Sequence, residues 1–332
     1  MSAPFTHHGG DLASARAHFG GAAADWIDLS TGINPQPWPG ATGIAIDWRP
    51  LPDRIALADL ETQAAGYFGA DPLLCRAVPG SEAGLRLLAP LLGLPGRHLA
   101  LSYRTHADAF AIAEPASEPF ARPKSATTLI IANPTNPDGQ LRTHAELLAL
   151  LARQEAVGGW LIVDEAFADC RAETSVCNLV ANTRRLIVMR SFGKFFGLAG
   201  VRLGFVVAPR AVLVQLCHRL GDWPVNAAAL TLGMAAYADT AWIADTRSAL
   251  PVKAAALDAL LGRHGLVAEG HCPLFRLIRT PRAQTLFTGL AKRRILTRPF
   301  ADQPDLLRIG LPADGAALDR LDQALGVDVV DG

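Results

Sequence analysis

The sequence predicts an α/β protein, with a large domain built on a mostly parallel sheet covered by helices and a smaller α+β domain after it. Three observations predict this. Short, continuous apolar runs recur through the middle of the chain, at Thr127–Ala132, Trp160–Val163, Arg185–Met189 and Leu203–Val207, as expected of strands buried on both faces. Segments with helical spacing separate them, which is the βαβ rhythm. Beyond about residue 225 the pattern changes to Ala/Leu-rich helices followed by three strand-like runs.

The elements follow in order. Residues 1–50 are rich in Gly, Pro and polar residues with little periodicity, and read as an irregular arm that packs on the small domain. Residues 51–225 form the large domain. Ala56–Tyr67 reads as a helix, Cys75–Val78 as a short strand, and Ser81–Leu92 as a helix with apolar residues at helical spacing. Thr143–Gln154 is a helix opened by Thr143 with Glu146 three residues on, a capping box. Residues 226–332 supply one long linking helix, over about 226–262, and then the small domain with strand-like runs Pro273–Ile278, Ile295–Phe300 and Leu306–Leu311.

Composition narrows the function. Of the 332 residues half are hydrophobic, enough to bury a sizeable core. The 31 basic and 31 acidic residues cancel, which argues against nucleic acid and anionic membrane as partners. The N-terminus lacks a basic region followed by an apolar stretch, and the leucine-rich run near Leu85–Leu94 is broken by Pro90 and Gly93. The five cysteines are scattered and lack ligand spacing. They read as reduced thiols of a cytoplasmic protein, with no metal site expected.

In parallel sheets, ligands bind beyond the carboxyl ends of the strands, and five segments there stand out. Gly80-Ser81-Glu82 lies between a strand and a helix, where backbone N–H groups can hold an anion; an ordinary turn would look the same. Asn133-Pro134-Thr135-Asn136-Pro137-Asp138-Gly139 follows the TTLIIA run and is either a turn or the source of an amide donor, Asn136. Asp164-Glu165-Ala166-Phe167 follows another strand; the carboxylate can pair with a buried cation or cap a helix. Ser191-Phe192-Gly193-Lys194 follows a third, with Arg202 eight residues later. The apolar neighbours of Lys194 favour a neutral, reactive amine over a solvated charge. Arg298 and Arg308 lie in strand-like segments as edge residues or anion clamps.

Together, the cradle, the Asn, the Asp and Ser-x-x-Lys with Arg at plus eight resemble the fold-type-I pyridoxal-phosphate enzymes of the aminotransferase superfamily, along nearly the whole chain. The resemblance implies pyridoxal 5'-phosphate as cofactor, joined to Lys194 as a Schiff base, with Lys194 later moving protons at the substrate α-carbon. It implies that Asp164 pairs with the pyridinium nitrogen and that Asn136 binds the phenolic oxygen beside Phe167. Gly80, Ser81, Glu82, Ser191 and Arg202 would surround the phosphate. Tyr103, rather than His106, would stack on the ring. Arg308 would clamp the substrate α-carboxylate, and Asn136 would also face substrate.

Two branches of that superfamily fit: threonine-phosphate decarboxylases of cobalamin biosynthesis and histidinol-phosphate aminotransferases. His8-Gly9-Gly10-Asp11, the arm Asp28-Leu29-Ser30-Thr31-Gly32-Ile33-Asn34-Pro35, Phe167 where many aminotransferases have Tyr, Ile295-Leu296-Thr297-Arg298-Pro299-Phe300 and Leu307-Arg308-Ile309-Gly310 resemble the decarboxylases. That branch implies a carboxy-lyase converting O-phospho-L-threonine to (R)-1-amino-2-propanol O-2-phosphate. His8, Gly9, Gly32 and Arg298 would anchor the substrate phosphate. Relatives often carry Tyr-Pro-Asp where this chain has Leu51-Pro52-Asp53, so a cross-subunit tyrosine contact is missing, although the family pattern implies a homodimer. A third reading is a non-catalytic pyridoxal-phosphate-binding protein; the intact Lys194, Asp164, Asn136 and Arg202 argue against it.

Overall fold

The computed structural model describes Phe5, residues 9–116 and residues 123–327. Its contacts divide the chain into two compact units: Pro37–Asn136 with Gln140–Arg247, and Met1–Gln36 with Pro137–Gly139 and Ser248–Gly332.

The larger unit is built on a seven-stranded sheet. Its strands are β1 (Cys75–Val78), β2 (Gly96–Leu99), β3 (Ala113–Ala116), β4 (Thr128–Ala132), β5 (Trp160–Asp164), β6 (Leu186–Ser191) and β7 (Gly204–Val207), in the spatial order β1-β7-β6-β5-β4-β2-β3. Strands β3, β2, β4, β5 and β6 are mutually parallel, but β7 runs antiparallel to both its neighbours. Sequence patterning placed β7 in a parallel set. The segment 192–203 holds only the short helical turns Phe192–Phe195 and Ala199–Val201, not the long crossover a parallel neighbour needs, so the chain returns in the opposite sense. Strands β2 and β3 gave no apolar signal because β3 is the sheet's edge strand and β2 is next to it. Both are half-exposed, and β3 carries Pro115, which only an edge tolerates.

Helices cover both faces. Ile130, Ile162, Ile187, Met189 and Val206 pack with Leu85 and Leu88 of helix α1 (Ser81–Leu92) and with Leu213 and Leu216 of α2 (Arg210–Leu220). Each such fully buried aliphatic side chain contributes about 1.5–3 kcal/mol. Against the opposite face, Phe68 at the end of the helix Arg54–Phe68 meets Phe205 of β7 at 5.4 Å and Tyr237 at 5.7 Å between ring centroids.

The predicted linking helix is two helices, Ala227–Ala238 and Thr240–Arg263. They break at Asp239 (φ −81°, ψ 71°), whose carboxylate accepts the Trp242 backbone N–H at 3.1 Å and the Trp38 indole N–H at 2.9 Å. An Asp that bonds the backbone three residues on starts a new helix. The flanking alanines hid this break.

The smaller unit contains an antiparallel sheet in the order Arg298–Pro299, Leu306–Gly310, Phe275–Arg279, Ala268–Glu269. Beside it, Ile27–Asp28 pairs in parallel with Ile295–Leu296. The predicted Ile295–Phe300 run therefore divides at Thr297 between two sheets. The arm is less irregular than its composition suggests: Leu12–Phe19 is a helix, capped by Asp11, which accepts the Ser14 N–H at 3.1 Å.

Candidate active site

A cavity of about 780 Å³, counted to its open mouth, lies in the larger unit at the carboxyl ends of β4, β5 and β6. Gly80, Ser81, Glu82, Tyr103, Asn136, Asp164, Phe167, Ser191, Lys194 and Arg202, scattered over 123 positions of sequence, all line it. Sheet order explains the convergence. Asp164 ends β5 and Ser191 ends β6, and Ala132 and Met189 are their neighbours' register partners of Asp164. Loops leaving adjacent parallel strands therefore open on one crevice.

One wall is an anion cradle. Helix α1 begins at Ser81, and its N-cap, Gly80, has φ 93° and makes no side-chain capping bond. The first N–H groups of a helix carry partial positive charge and need acceptors. A Cβ on Gly80 would stand 2.8 Å from Arg202 Nη2, so the guanidinium sits directly against this turn. Arg202 itself is held in the left-handed region (φ 58°, ψ 52°), a strained setting for a side chain other than glycine. The Glu82 carboxylate is engaged by Thr105 Oγ1 at 3.3 Å and Arg86 Nε at 3.1 Å.

The rest of the lining carries further titratable groups. Asp164 Oδ1 accepts the Ala166 N–H at 3.1 Å, and Asp164 Oδ2 lies 3.0 Å from Nε2 of the wholly buried His106. His106 is thus not a ring-stacking candidate. It is a partner that orients Asp164, and Tyr103 meets its ring edge-on at 5.7 Å. Sequence reasoning missed this role because the two residues are 58 positions apart. Burial holds the Tyr103 phenol above its ordinary pKa, so it stays protonated. Lys194 Nζ lies 5.8 Å from the centre of the buried Phe167 ring. Phe192 and Phe195 fix the turn from below, both fully buried, and a Cβ on Gly193 would stand 2.6 Å from Ala199 Cα.

Gly204 was also missed. A Cβ there would stand 2.5 Å from Ser81 N and 2.9 Å from Arg190 O. Only glycine lets β7 pass this close beneath the cradle.

The other predicted residues belong to the smaller unit. Arg298 and Arg308 are direct cross-strand partners. Two like charges so placed repel, and burial together with Arg298 pushes the Arg308 pKa down to about 9. Arg308 Nη2 donates to the Ser30 carbonyl at 2.7 Å. Gly9 packs on that same carbonyl, where a Cβ would stand 2.2 Å away, and the Gly10 N–H donates to Ser30 Oγ at 2.7 Å. Gly32 is buried two residues beyond Ser30. Gly9, Ser30 and Arg308 therefore meet, with Ser30 a member that sequence reasoning did not single out. His8 lies outside the described residues.

Residues 102–325 match the profile of the aminotransferase class I and II family. The chain is 42% identical to a threonine-phosphate decarboxylase of Sinorhizobium sp, covering 98% of both chains, and 42% identical to one of Pseudomonas aeruginosa, covering 96% of both. It is 31% identical to a histidinol-phosphate aminotransferase of Rhodospirillum centenum over 80% of each. Among solved structures, a histidinol-phosphate aminotransferase from Sinorhizobium meliloti in complex with pyridoxal-5'-phosphate superposes with a TM-score of 0.79, covering 94% of this chain and 93% of that one. The L-threonine-O-3-phosphate decarboxylase from Porphyromonas gingivalis gives 0.70 over 84% and 92%. At 18% and 20% identity these two show the shared fold.

Proposed function

This chain belongs to the aminotransferase class I and II family, and we propose that it is a carboxy-lyase acting on O-phospho-L-threonine. Its cofactor is pyridoxal phosphate. The cavity fits that group on three counts. It has an uncapped helix start with Arg202 beside it for a phosphate, an oriented carboxylate for a ring nitrogen, and the Lys194 amine in the same lining. When bound, the cofactor supplies an aldehyde for an amine and a ring that accepts the electrons of a bond broken at the α-carbon.

The chain's own groups do the rest. Lys194 Nζ is the amine that holds the cofactor. Asp164, oriented by His106 and the Ala166 N–H, keeps a proton on the ring nitrogen. Asn136 donates to the phenolic oxygen. Gly80, Ser81, Ser191 and Arg202 hold the phosphate, with the Glu82 backbone N–H beside them. Tyr103 and Phe167 bound the ring and exclude water. Arg308 binds the substrate carboxylate, while Arg298, Gly9 and Gly32, together with His8, receive its phosphate. A substrate carrying two anionic groups relieves the repulsion between the paired guanidinia. Lys194 would be freed when the substrate's own amine takes its place; the bond from the α-carbon to the carboxylate would then break, CO₂ would leave, and the freed Lys194 ammonium would deliver a proton to the α-carbon. The product is (R)-1-amino-2-propanol O-2-phosphate, a precursor in cobalamin biosynthesis.

The observation that carries this reading is the full-length match to two decarboxylases, against the lower, partial match to the aminotransferase. The competing aminotransferase reading is tested in one experiment. CO₂ release from O-phosphothreonine without a 2-oxo acid supports the lyase. Glutamate formation from histidinol phosphate and 2-oxoglutarate, without CO₂ release, overturns it.

The enzyme acts in the cytoplasm as a homodimer. Free cysteines support the first, and the exposed apolar run Trp48, Leu51 and Ile55 supports a covering second copy. No helix among the described residues is long and apolar enough to cross a membrane.

A further inference from the structure

Strand alternation turns Glu165 away from Asp164 and Arg190 away from Ser191. On that other side the three side chains of Arg190, Glu165 and Asp169 are buried, each no more than 3% exposed. Arg190 Nη1 donates to Glu165 Oε2 at 2.6 Å, and Arg190 Nη2 donates to Asp169. Glu165 also accepts Ser175 Oγ at 2.6 Å and the Val176 N–H at 2.7 Å. Arg190 lies over the Phe68 ring at 4.5 Å. A second cation extends the cluster: Arg247 Nε donates to the Asp169 carbonyl at 2.8 Å, and its guanidinium lies 5.8 Å from the ring of Phe195, the residue after Lys194.

Stability does not explain such a cluster. Burying three charges costs solvation that their mutual attraction only partly returns, and well-packed apolar residues are often as stable. What a bidentate guanidinium adds is direction. Here it joins the segment leaving β5, which carries Asp164, to the segment leaving β6, which carries Ser191 and Lys194.

We propose that Arg190, Glu165 and Asp169 are positioning residues for the reaction, locking the exits of β5 and β6 so that Asp164 and Lys194 stay aligned, without touching cofactor or substrate. This rests on the reading of the cavity given above. The titratable groups facing the triad are Tyr67, Tyr237, Cys75 and Cys177, each held protonated chiefly by burial, with Arg247 as the neighbouring cation.

The test uses Arg190→Lys holoenzyme. A lysine keeps the charge but reaches one carboxylate at a time. Cofactor content and KM for O-phosphothreonine stay near wild type, while kcat per bound cofactor falls about 10- to 100-fold, as a misplacement of about 1 Å would cause. The absorbance titration of the bound cofactor also shifts, because the segment that carries Asp164 and Glu165 is no longer fixed to β6, although Asp164 keeps its own bonds to His106 and the Ala166 N–H. A lower melting temperature with unchanged kcat per cofactor and unchanged titration would make the triad merely structural and overturn the proposal. If Arg190→Lys does not fold, Ser175→Ala decides by the same readouts, since it removes one neutral donor from Glu165 and leaves every charge in place. Borohydride labelling of Lys194 in the wild type separates the two ideas: no label defeats the cavity reading itself, whereas a label with unchanged variant kinetics defeats the triad alone.

Discussion

Substituting Gly204 by Ala tests the phosphate cradle. The new methyl would stand 2.5 Å from Ser81 N, whereas ordinary contact begins at 3.4 Å, so the cradle must retreat by about 0.9 Å. Gly204 does not have a positive φ, so alanine adds no backbone strain and the effect is steric. Its other close neighbours, Arg190 O and Gly80 C, are backbone atoms that cannot rotate away. Overpacking of this kind costs about 1–3 kcal/mol of stability. Displacing one N–H from a charged acceptor costs about 1.5–3 kcal/mol, or roughly 10- to 150-fold in Kd. The assay is titration of apoprotein with pyridoxal phosphate and, separately, with pyridoxal, which lacks the phosphate. Gly204→Ala is expected to weaken the first by that factor and leave the second unchanged. Equal weakening of both would refute the reasoning, since it would place the damage outside the cradle.

Other perturbations address single contacts. His106→Phe removes the buried partner of Asp164 Oδ2, and kcat should fall by about 10- to 150-fold with cofactor still bound; an unchanged kcat in stopped-flow turnover contradicts the orienting role. Arg308→Lys exchanges a fork for a point charge beside Arg298 and should raise KM for O-phosphothreonine about tenfold or more, measured by initial rates, with the cofactor absorbance unaltered. Burial raises the pKa of Glu61 against the opposing Ala77 N–H and Arg76. Its folded form therefore binds a proton more tightly than its unfolded form, and its contribution to stability falls as pH rises from the ordinary carboxylate value through the raised one. Urea unfolding across pH 4 to 7 should show a shallower decline in Glu61→Gln (window set by ordinary carboxylate values, roughly).

The larger unit was legible where strands are buried on both faces. Ile130, Ile162 and Ile187 lie in continuous apolar runs that only a covered sheet explains. The ring of strand-end residues was legible for the same reason, since Asn136, Asp164 and Lys194 each follow such a run. Direction was not: nothing in Gly204–Val207 itself distinguishes an antiparallel return from a parallel crossover. Edge strands escaped because half-exposed segments such as Ala113–Ala116 carry no apolar pattern. The helix break at Asp239 was hidden by the flanking alanines, and the Trp38 indole that also bonds its carboxylate is far away in sequence. The same holds for His106 and for the Arg190 triad, whose partners meet only after the sheet has formed.

The cofactor linkage itself is open to one chemical step: borohydride reduction of the holoprotein, proteolysis and mass spectrometry. A single pyridoxyl adduct on the peptide containing Phe192-Gly193-Lys194-Phe195 is the expected result. An adduct confined to any other lysine, or none at all, would remove the chemical centre from the cavity and with it the assignment of Asp164, Asn136 and Arg202.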